Sequence, residues 1–378
     1  MRSRPVLTAV GWATIERAYY LCSKCNHGQF PADVQLDIDK TDYSPGVRRM
    51  LAAVGSESPF APGRKQLKLL ADLEVTAKAI ERTAESIGAD IESRQQRDIK
   101  RAKQLRLPVM AGPVIPYLYV QMDGTQVFVV KSETEGRAGR TPGQPARTRE
   151  CKLGCVFTQT GVDDQGRPVR DEGSTTYVGA IETAEEFGLR IYTEAYQRGW
   201  DRAATRVVVG DGSHWIWNLA DQHFPRAIQI VDLYHAREHL WDVARKLYPG
   251  DEVAQKRWAK YKLDWLENGK IEKLVAAVRK TAGSITNGEL AKAIGTEAEY
   301  FDSNRERMRY PEFRQKNLFV GSGVIEAGCK TVIGSRLKKS GMFWTVRGAN
   351  AILALRCCQF NGRFEDYWEG RRALINGS

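Results

Sequence analysis

Three carboxylates, placed where predicted strands end or a predicted helix begins, constrain this chain more than any other feature. Short runs of β-branched and aromatic residues bounded by Gly and Asp are typical of buried strands. Catalytic groups concentrate where such strands meet solvent, so the pattern predicts one acid cluster at a sheet edge. The acids and the segments before them are Asp123 after Val114–Met122, Asp211 after Arg206–Gly210, and Glu326 after Gly321–Ile325.

An acid cluster of this kind predicts a metal site. Three neighbouring carboxylates do not all stay ionised unless a cation is present. Hard divalent cations prefer oxygen ligands, so we expect one or two Mg²⁺ (or Mn²⁺) ions. A pair of ions about 4 Å apart would clamp the attacking and leaving oxygens of a phosphodiester. Each acid taken singly is also compatible with an exposed carboxylate that faces solvent.

The order of the predicted elements indicates an α/β fold with a ribonuclease-H-like core. Gly124–Gln126 is predicted to form a hairpin turn after Asp123. Three antiparallel strands, a helix, a strand, a helix and a strand then precede the helix that carries Glu326. The predicted elements after the turn are the strands Val127–Val130 and Lys152–Thr158, the helix Thr183–Arg198, the strand ending at Asp211, the helix Ser213–Gln222 and the strand Ala227–Asp232.

Five stretches resemble the DDE transposases of the ISKra group of bacterial insertion sequences, within the Mutator-like superfamily. They span both ends of the predicted core. The stretches are Tyr119–Thr125, Val209–Trp217, Gln229–Leu240, Gly321–Lys330 and Asn361–Trp368.

The resemblance implies a DNA transposase with Asp123, Asp211 and Glu326 as its catalytic triad. It also implies that Asp232-Leu233-Tyr234-His235 corresponds to a D/C-x-x-H motif near the active site. Lys330, four residues after Glu326, is predicted to contact the cut strand or to screen Glu326, or simply to form an ion pair along the helix.

The charge of the chain agrees with a polyanionic partner. The formal net charge is +11, and the segment from Ala327 to the end contains nine Lys or Arg against three Asp or Glu. Phosphate contacts dominate nucleic-acid affinity, so we predict double-stranded DNA as the partner, both transposon ends and target. The alternative is a solvated surface that only aids solubility. The predicted DNA-binding residues are Arg94, Arg97, Lys100, Arg101, Lys103, Arg336, Lys338 and Lys339.

A chain of 378 residues is expected to form several domains. The predicted divisions are a β-rich piece at 1–38, a helical region at 39–107, a first core part at 108–235, an all-α insertion at 236–319 and a last core part at 320–378.

The N-terminal piece contains half of a zinc-site pattern. Cys22 and Cys25 have the C-x-x-C spacing, with His27 two residues further on. The resemblance implies a zinc-ribbon-like module here, of which this chain would hold a remnant. Two unligated thiols in a turn are the alternative.

Three other segments leave alternatives open. The short helices of 39–107 allow a helix-turn-helix or ordinary packing, followed by a basic linker over Glu92–Arg106. Glu133–Glu150 is predicted to be a mobile loop whose Arg137, Arg140, Arg147 and Arg149 either close on DNA or stay in solvent. The tryptophans of the helical insertion, Trp241, Trp258 and Trp265, either stack on unpaired bases or belong to the core.

Two other functions compete with transposition. His235-Ala236-Arg237-Glu238-His239 spells the inverted zinc-protease motif, in which two histidines bind Zn²⁺ and Glu238 polarises a water. That reading explains neither Asp123 nor Asp211. A transposase-derived DNA-binding protein without catalysis is the other alternative, against which the intact acids argue.

Cellular context follows from composition. Seven scattered cysteines, an odd number, predict a reducing cytoplasm, with a bacterial nucleoid-associated location implied by the resemblance. The sequence contains no run of 18 apolar residues, so we predict no membrane span. Joining two distant DNA ends requires at least a dimer on DNA.

Overall fold

The computed structural model describes residues 1–108, 110–139 and 143–376, so Arg140 of the predicted loop lies outside the described residues. Its strands are β1 (Arg2–Thr8), β2 (Gly11–Arg17), β3 (Tyr20–Leu21), β4 (Gly28–Gln29), β5 (Ile115–Phe128), β6 (Thr148–Gln159), β7 (Gly161–Val162), β8 (Pro168–Val169), β9 (Thr176–Ala180), β10 (Ala203–Gly210) and β11 (Ile228–Val231).

The α-helices lie between the strands and after the last strand of the chain. They are α1 (Pro31–Gln35), α2 (Pro45–Glu57), α3 (Phe60–Ala71), α4 (Ala77–Lys103), α5 (Ala184–Gln197), α6 (His214–His223), α7 (Leu233–Leu247), α8 (Glu252–Glu267), α9 (Ile271–Gly283), α10 (Gly288–Ser303), α11 (Tyr310–Gln315), α12 (Gly323–Gly328), α13 (Ser335–Leu337), α14 (Val346–Phe360) and α15 (Phe364–Asn376). Among the described helices, none is both long enough and apolar enough to cross a membrane.

A mixed five-stranded sheet forms the centre of the fold, in the order β11-β10-β5-β6-β9. β5 pairs antiparallel with β6 and β6 with β9, whereas β10 runs parallel to both β5 and β11. This α/β arrangement is compatible with a ribonuclease-H-like core. The central strands are buried on both faces by helices, which explains their continuous apolar runs.

The predicted hairpin after Asp123 is wrong. β5 continues through Asp123 to Phe128, and Gly124 pairs with Lys152 inside the ladder. A Cβ on Gly124 would lie 2.6 Å from a carboxylate oxygen of Glu150, so the Glu150 side chain occupies the space beside this glycine within the ladder. The antiparallel partner of β5 is therefore β6, which contains the predicted strand Lys152–Thr158. The third antiparallel strand, β9, was not predicted.

Helix boundaries follow local capping signals where these exist. Ser44 accepts a hydrogen bond from Val47 N, with Pro45 in the first helical turn of α2. Thr183 and Glu186 form a capping box at the start of α5, which confirms the predicted helix there.

The N-terminal helices pack onto the C-terminal part of the chain. A Cβ on Gly88 of α4 would lie 1.9 Å from the Ala351 carbonyl oxygen of α14, so the two helix backbones are nearly in contact. Ala52, Ala84, Ile87 and Ile91 accordingly belong to the main hydrophobic core. The stretch Glu92–Arg106 is not a linker, because α4 runs on to Lys103.

Candidate active site at the edge of the sheet

Strand register brings Asp123 and Asp211 side by side. Val209 of β10 pairs in parallel with Gln121 of β5. Asp123 lies two residues further along β5, and Asp211 follows Gly210, the last residue of β10. Neighbouring strands lie about 5 Å apart, so both acids lie at the same edge of the sheet.

The environment of Asp123 reflects the other two acids. Its Oδ1 accepts from Gly124 N at 2.6 Å, and the Cys329 Sγ lies 3.4 Å from Oδ2. Burial raises the pKa of Asp123, the two hydrogen bonds oppose that rise, and the negative charges of Asp211 and Glu326 add to it. The three carboxylates therefore lie within one another's electrostatic field.

Asp211 is held by the turn that begins α6 and by a tyrosine of the helical segment. Its carboxylate accepts from Ser213 N at 2.8 Å and from Ser213 Oγ at 3.0 Å. Its carbonyl oxygen accepts from the Tyr300 hydroxyl at 2.9 Å. Gly212 has a φ of +102° and a Cβ there would lie 2.5 Å from the Tyr300 ring, so glycine is required at this turn.

Two buried polar side chains fix the segment that carries Glu326. Gln121 Nε2 donates to Gly321 O at 3.2 Å, and its Oε1 accepts from Ile325 N at 3.1 Å. Because Gln121 belongs to β5, two residues before Asp123, it ties the start of α12 to the strand of the first acid.

Asp232 is the second of these side chains. It is fully buried, accepts from His235 N at 2.7 Å as the N-cap of α7, and its other oxygen accepts from Ser322 N. Glu326 itself is exposed, and its Oε1 accepts from Ser322 Oγ at 2.9 Å.

The three carboxylates are candidate ligands for a metal ion. Carboxylate oxygens are suitable Mg²⁺ ligands, and their mutual repulsion would be relieved by a cation. Among the described residues, however, no group of three or more His, Cys, Asp or Glu lies close enough to hold an ion. In the side-chain positions seen, each carboxylate points to its own hydrogen-bond partner, and a metal site shared by the three acids stays a prediction.

The H-x-x-E-H histidines have other partners. His239 Nδ1 lies 2.7 Å from Glu297 Oε2, and its ring stacks on Tyr300 with 3.7 Å between centroids. His235 lies in the first turn of α7, three residues after Asp232, and its Nδ1 is 3.7 Å from Glu238 Oε2. The ring stacking of His239 and its hydrogen bond with Glu297 account for this residue without zinc.

The predicted DNA-binding residues divide by burial. Arg97, Lys100, Arg101, Lys103 and Lys339 are exposed, although Arg101 pairs with Asp98 at 3.2 Å. Arg94 is half-buried, pairs with Asp90 at 3.2 Å and lies over the Tyr367 ring.

Two lysines lie near the acids. Lys338 Nζ donates to Thr125 Oγ1, two residues from Asp123 on β5. Lys330 is exposed and, among the described residues, forms no ion pair with Glu326.

Arg336 is a correction to the predicted DNA-binding set. Its side chain is fully buried and donates from Nε and Nη2 to Gly55 O, both at 3.0 Å. Its guanidinium lies over the rings of Phe60 and Trp344, 4.6 and 4.9 Å from the centroids. Burial lowers the pKa of Arg336 to about 10, and the neighbouring Arg356 contributes to that shift. Arg336 therefore holds α2 against the C-terminal helices and cannot contact a phosphate.

The Cys22–Cys25 pair lies in the exposed turn between β3 and β4. Hydrogen bonds from the backbone of Cys25 and Lys24 lower the pKa of the Cys22 thiol. His27 is also exposed, and the described residues supply no third ligand to either cysteine. A structural zinc ion at this turn stays a prediction.

Four site residues escaped the sequence analysis: Gln121, Tyr300, Ser322 and Cys329. Gln121 carried a signal, because it is a polar residue in the middle of the apolar run Tyr119–Met122. Buried polar residues need partners, so such a residue indicates a tertiary hydrogen bond. Tyr300 carried none, since a tyrosine in an amphipathic helix predicts only packing.

Comparisons with known proteins add little. The chain is similar to the Drosophila P element transposase strand transfer complex, with 9% sequence identity, a TM-score of 0.27, and coverage of 89% of this chain and 84% of that chain. No protein-family model and no curated protein sequence matches. A similarity this low establishes neither fold nor function, so the likeness to ISKra-group transposases stays a prediction from its motifs.

Proposed function

We propose that this protein is a Mg²⁺-dependent DNA transposase that cuts transposon ends and transfers the freed 3′-hydroxyl strand to target DNA. The observation that carries the proposal is the parallel register of β5 and β10, which sets Asp123 beside Asp211. Glu326 joins them because Gln121 of the same strand binds the start of its helix.

Asp123, Asp211 and Glu326 would hold the metal once their side chains turn from Gly124, Ser213 and Ser322. Mg²⁺ or Mn²⁺ would supply activation of water and stabilisation of charge on the phosphodiester. The rigid backbone around the acids limits the change to side-chain rotation, because Gln121 and Asp232 already fix the segment that carries Glu326.

Double-stranded DNA would bind through exposed basic residues. Lys338 and Lys339 lie on the β5 side of the acids, and Lys330 lies one turn after Glu326. Arg97, Lys100 and Lys103 form a second basic surface at the end of α4. Because two DNA ends must be joined, the active form would be at least a dimer on DNA.

Asp211→Asn tests the proposal. An amide of the same shape is a much poorer Mg²⁺ ligand, so end cleavage should fall by at least about 100-fold. DNA affinity and melting temperature should stay close to wild type, because binding rests on Lys and Arg. The matched control is Asp164→Asn, an exposed acid in the turn between β7 and β8.

The measurement compares cleavage of DNA that carries the element's own ends, gel-shift affinity and thermal melting. Cleavage that survives in Asp211→Asn would contradict a metal-binding role. A mutant that loses both cleavage and melting temperature would instead indicate that Asp211 only stabilises the turn before α6.

A DNA-binding protein without catalysis is the second candidate. Wild-type protein that binds the transposon ends but cuts no DNA in Mg²⁺ or Mn²⁺ would establish this alternative.

A further inference from the structure

One face of α8 carries an aromatic and basic stripe that the proposed catalysis does not use. Trp258, Tyr261, Lys262 and Trp265 follow the i, i+3, i+4, i+7 spacing that normally defines a buried helix face. Here the buried residues of the helix are Ala259 and Leu266. The stripe is partly accessible: Tyr261 is 60% exposed, whereas both tryptophans are half-buried and pack against the hydrophobic core.

Lysine ammonium groups lie over the indole rings of this stripe. Lys262 Nζ is 4.5 Å from the centroid of Trp258 and 5.9 Å from that of Trp265. Lys273 Nζ, from α9, is 4.3 Å from the Trp265 centroid. Among the described residues neither lysine forms an ion pair, and Arg257 and Lys260 on the same helix are exposed without one.

This combination matches the chemistry of unpaired nucleic acid. Single-stranded binders use aromatic side chains that stack on bases and cations that neutralise the phosphates between them. Duplex DNA hides its base faces, so it would use only the cations. A surface made for duplex phosphates alone would not need an exposed tyrosine beside two partly accessible indoles.

We propose that the α8 stripe, defined as Trp258, Tyr261, Lys262 and Trp265 with Lys273, binds single-stranded DNA. Bases stack on the exposed ring of Tyr261 and contact the indoles where these are accessible, while Lys262 and Lys273 contact the backbone phosphates. The inference rests on the proposed function for its source of strand, because cutting and joining DNA ends exposes unpaired nucleotides.

The test measures binding of fluorescent oligo(dT), of a duplex of equal length and of the matching RNA, without metal. Tyr261→Ala should weaken oligo(dT) binding about 5- to 100-fold and leave duplex binding within about twofold, since each stacked base contributes ~1–3 kcal/mol. Lys262→Met keeps the apolar stem of the side chain. It should weaken oligo(dT) binding and lower the salt slope by about 0.7, the value for one phosphate contact on a single strand.

Matched controls come from the same chain. Tyr20→Ala removes a tyrosine that is 58% exposed on β3, and Lys292→Met removes an exposed lysine on α10. Both should bind oligo(dT) like wild type.

Three results would overturn the inference: oligo(dT) binding unchanged in both Tyr261→Ala and Lys262→Met, equal losses for duplex and single strand, or tighter binding of RNA than of DNA. Repeating the series in Asp211→Asn separates this inference from the proposed catalysis. Single-strand binding that persists there, with the same mutant effects, supports the stripe whether or not end cleavage is detected.

Discussion

Two groups of basic residues in this protein have opposite environments. Arg336 and Arg356 are buried between α2 and the C-terminal helices, where all their bonds are internal. Lys338 and Lys339, two and three residues after Arg336, are exposed, and Lys338 bonds to Thr125 on the strand of Asp123. The net charge of +11 therefore does not lie on one DNA-binding surface, because some of the basic side chains are buried and bond inside the fold.

Arg356 supports an unusual helical segment. Cys329–Gly334 forms a π-helical turn between α12 and α13, whose wider spacing leaves carbonyls without their usual helical partners. Arg356 donates to Val332 O and Thr331 O, both at 2.7 Å, and also reaches Ser56 O at 2.5 Å. One side chain thus joins the end of α2 to the helix that follows Glu326.

The largest effect is expected for Arg356→Met. Removing a buried cation that satisfies several carbonyls should lower the free energy of unfolding by about 3–5 kcal/mol. Arg347→Met, at an exposed position of the same helix, is the control and should change it by less than about 0.5 kcal/mol. Denaturant unfolding of both variants measures this difference in the free energy of unfolding. Equal stabilities would mean that the buried arginine is dispensable.

Gln121→Leu should have the next largest effect. It leaves Gly321 O and Ile325 N without their partner, at a cost of about 2–3 kcal/mol. At temperatures below its melting transition, this variant should cut transposon ends more slowly than wild type, because Glu326 loses its anchor. Its DNA affinity should be unchanged. Gln126→Leu, exposed on the same strand, is the control. Full cleavage by a folded Gln121→Leu protein would show that Glu326 needs no such support.

The double change Lys338→Gln and Lys339→Gln tests the exposed group. Duplex affinity should fall about tenfold and the salt slope by about 1–2, with stability unchanged, because these lysines serve phosphates and not packing. Lys292→Gln with Lys316→Gln, two exposed lysines elsewhere, is the control pair. A loss of stability without a loss of duplex affinity would show that Lys338 and Lys339 stabilise the fold, as the buried arginines do.

The smallest effect concerns His223, a half-buried polar group whose Nε2 has no hydrogen-bond partner among the described residues. Burial lowers the pKa of His223, so the folded state disfavours its protonated form. Stability should therefore fall as pH drops from about 6.5, by less than about 1 kcal/mol in total. His223→Gln should remove this acid-side loss, and the exposed His27→Gln should not. The measurement is the free energy of unfolding at pH 7 and at pH 5. A His223→Gln variant that still loses stability at pH 5 would show that His223 is not the group responsible.

Local signals predicted part of the fold well. The strands that end before Asp211 and Asp232, the helices α5 and α6, and the start of α2 follow from apolar runs and capping residues. These features depend on residues a few positions apart, which the sequence displays directly. Gly124 misled the prediction, since a glycine inside a strand looks the same in sequence as one that allows a turn.

The sequence by itself determined the identity and order of the acids, the apolar strands before two of them and the basic balance of the chain. Tertiary structure alone decided that β5 passes straight through Asp123, that Gln121 and Asp232 hold the Glu326 segment, and that Arg336 is buried. The reason is distance along the chain. Gln121 meets Ile325 across 204 positions and Arg336 meets Gly55 across 281, and no local pattern records such partners.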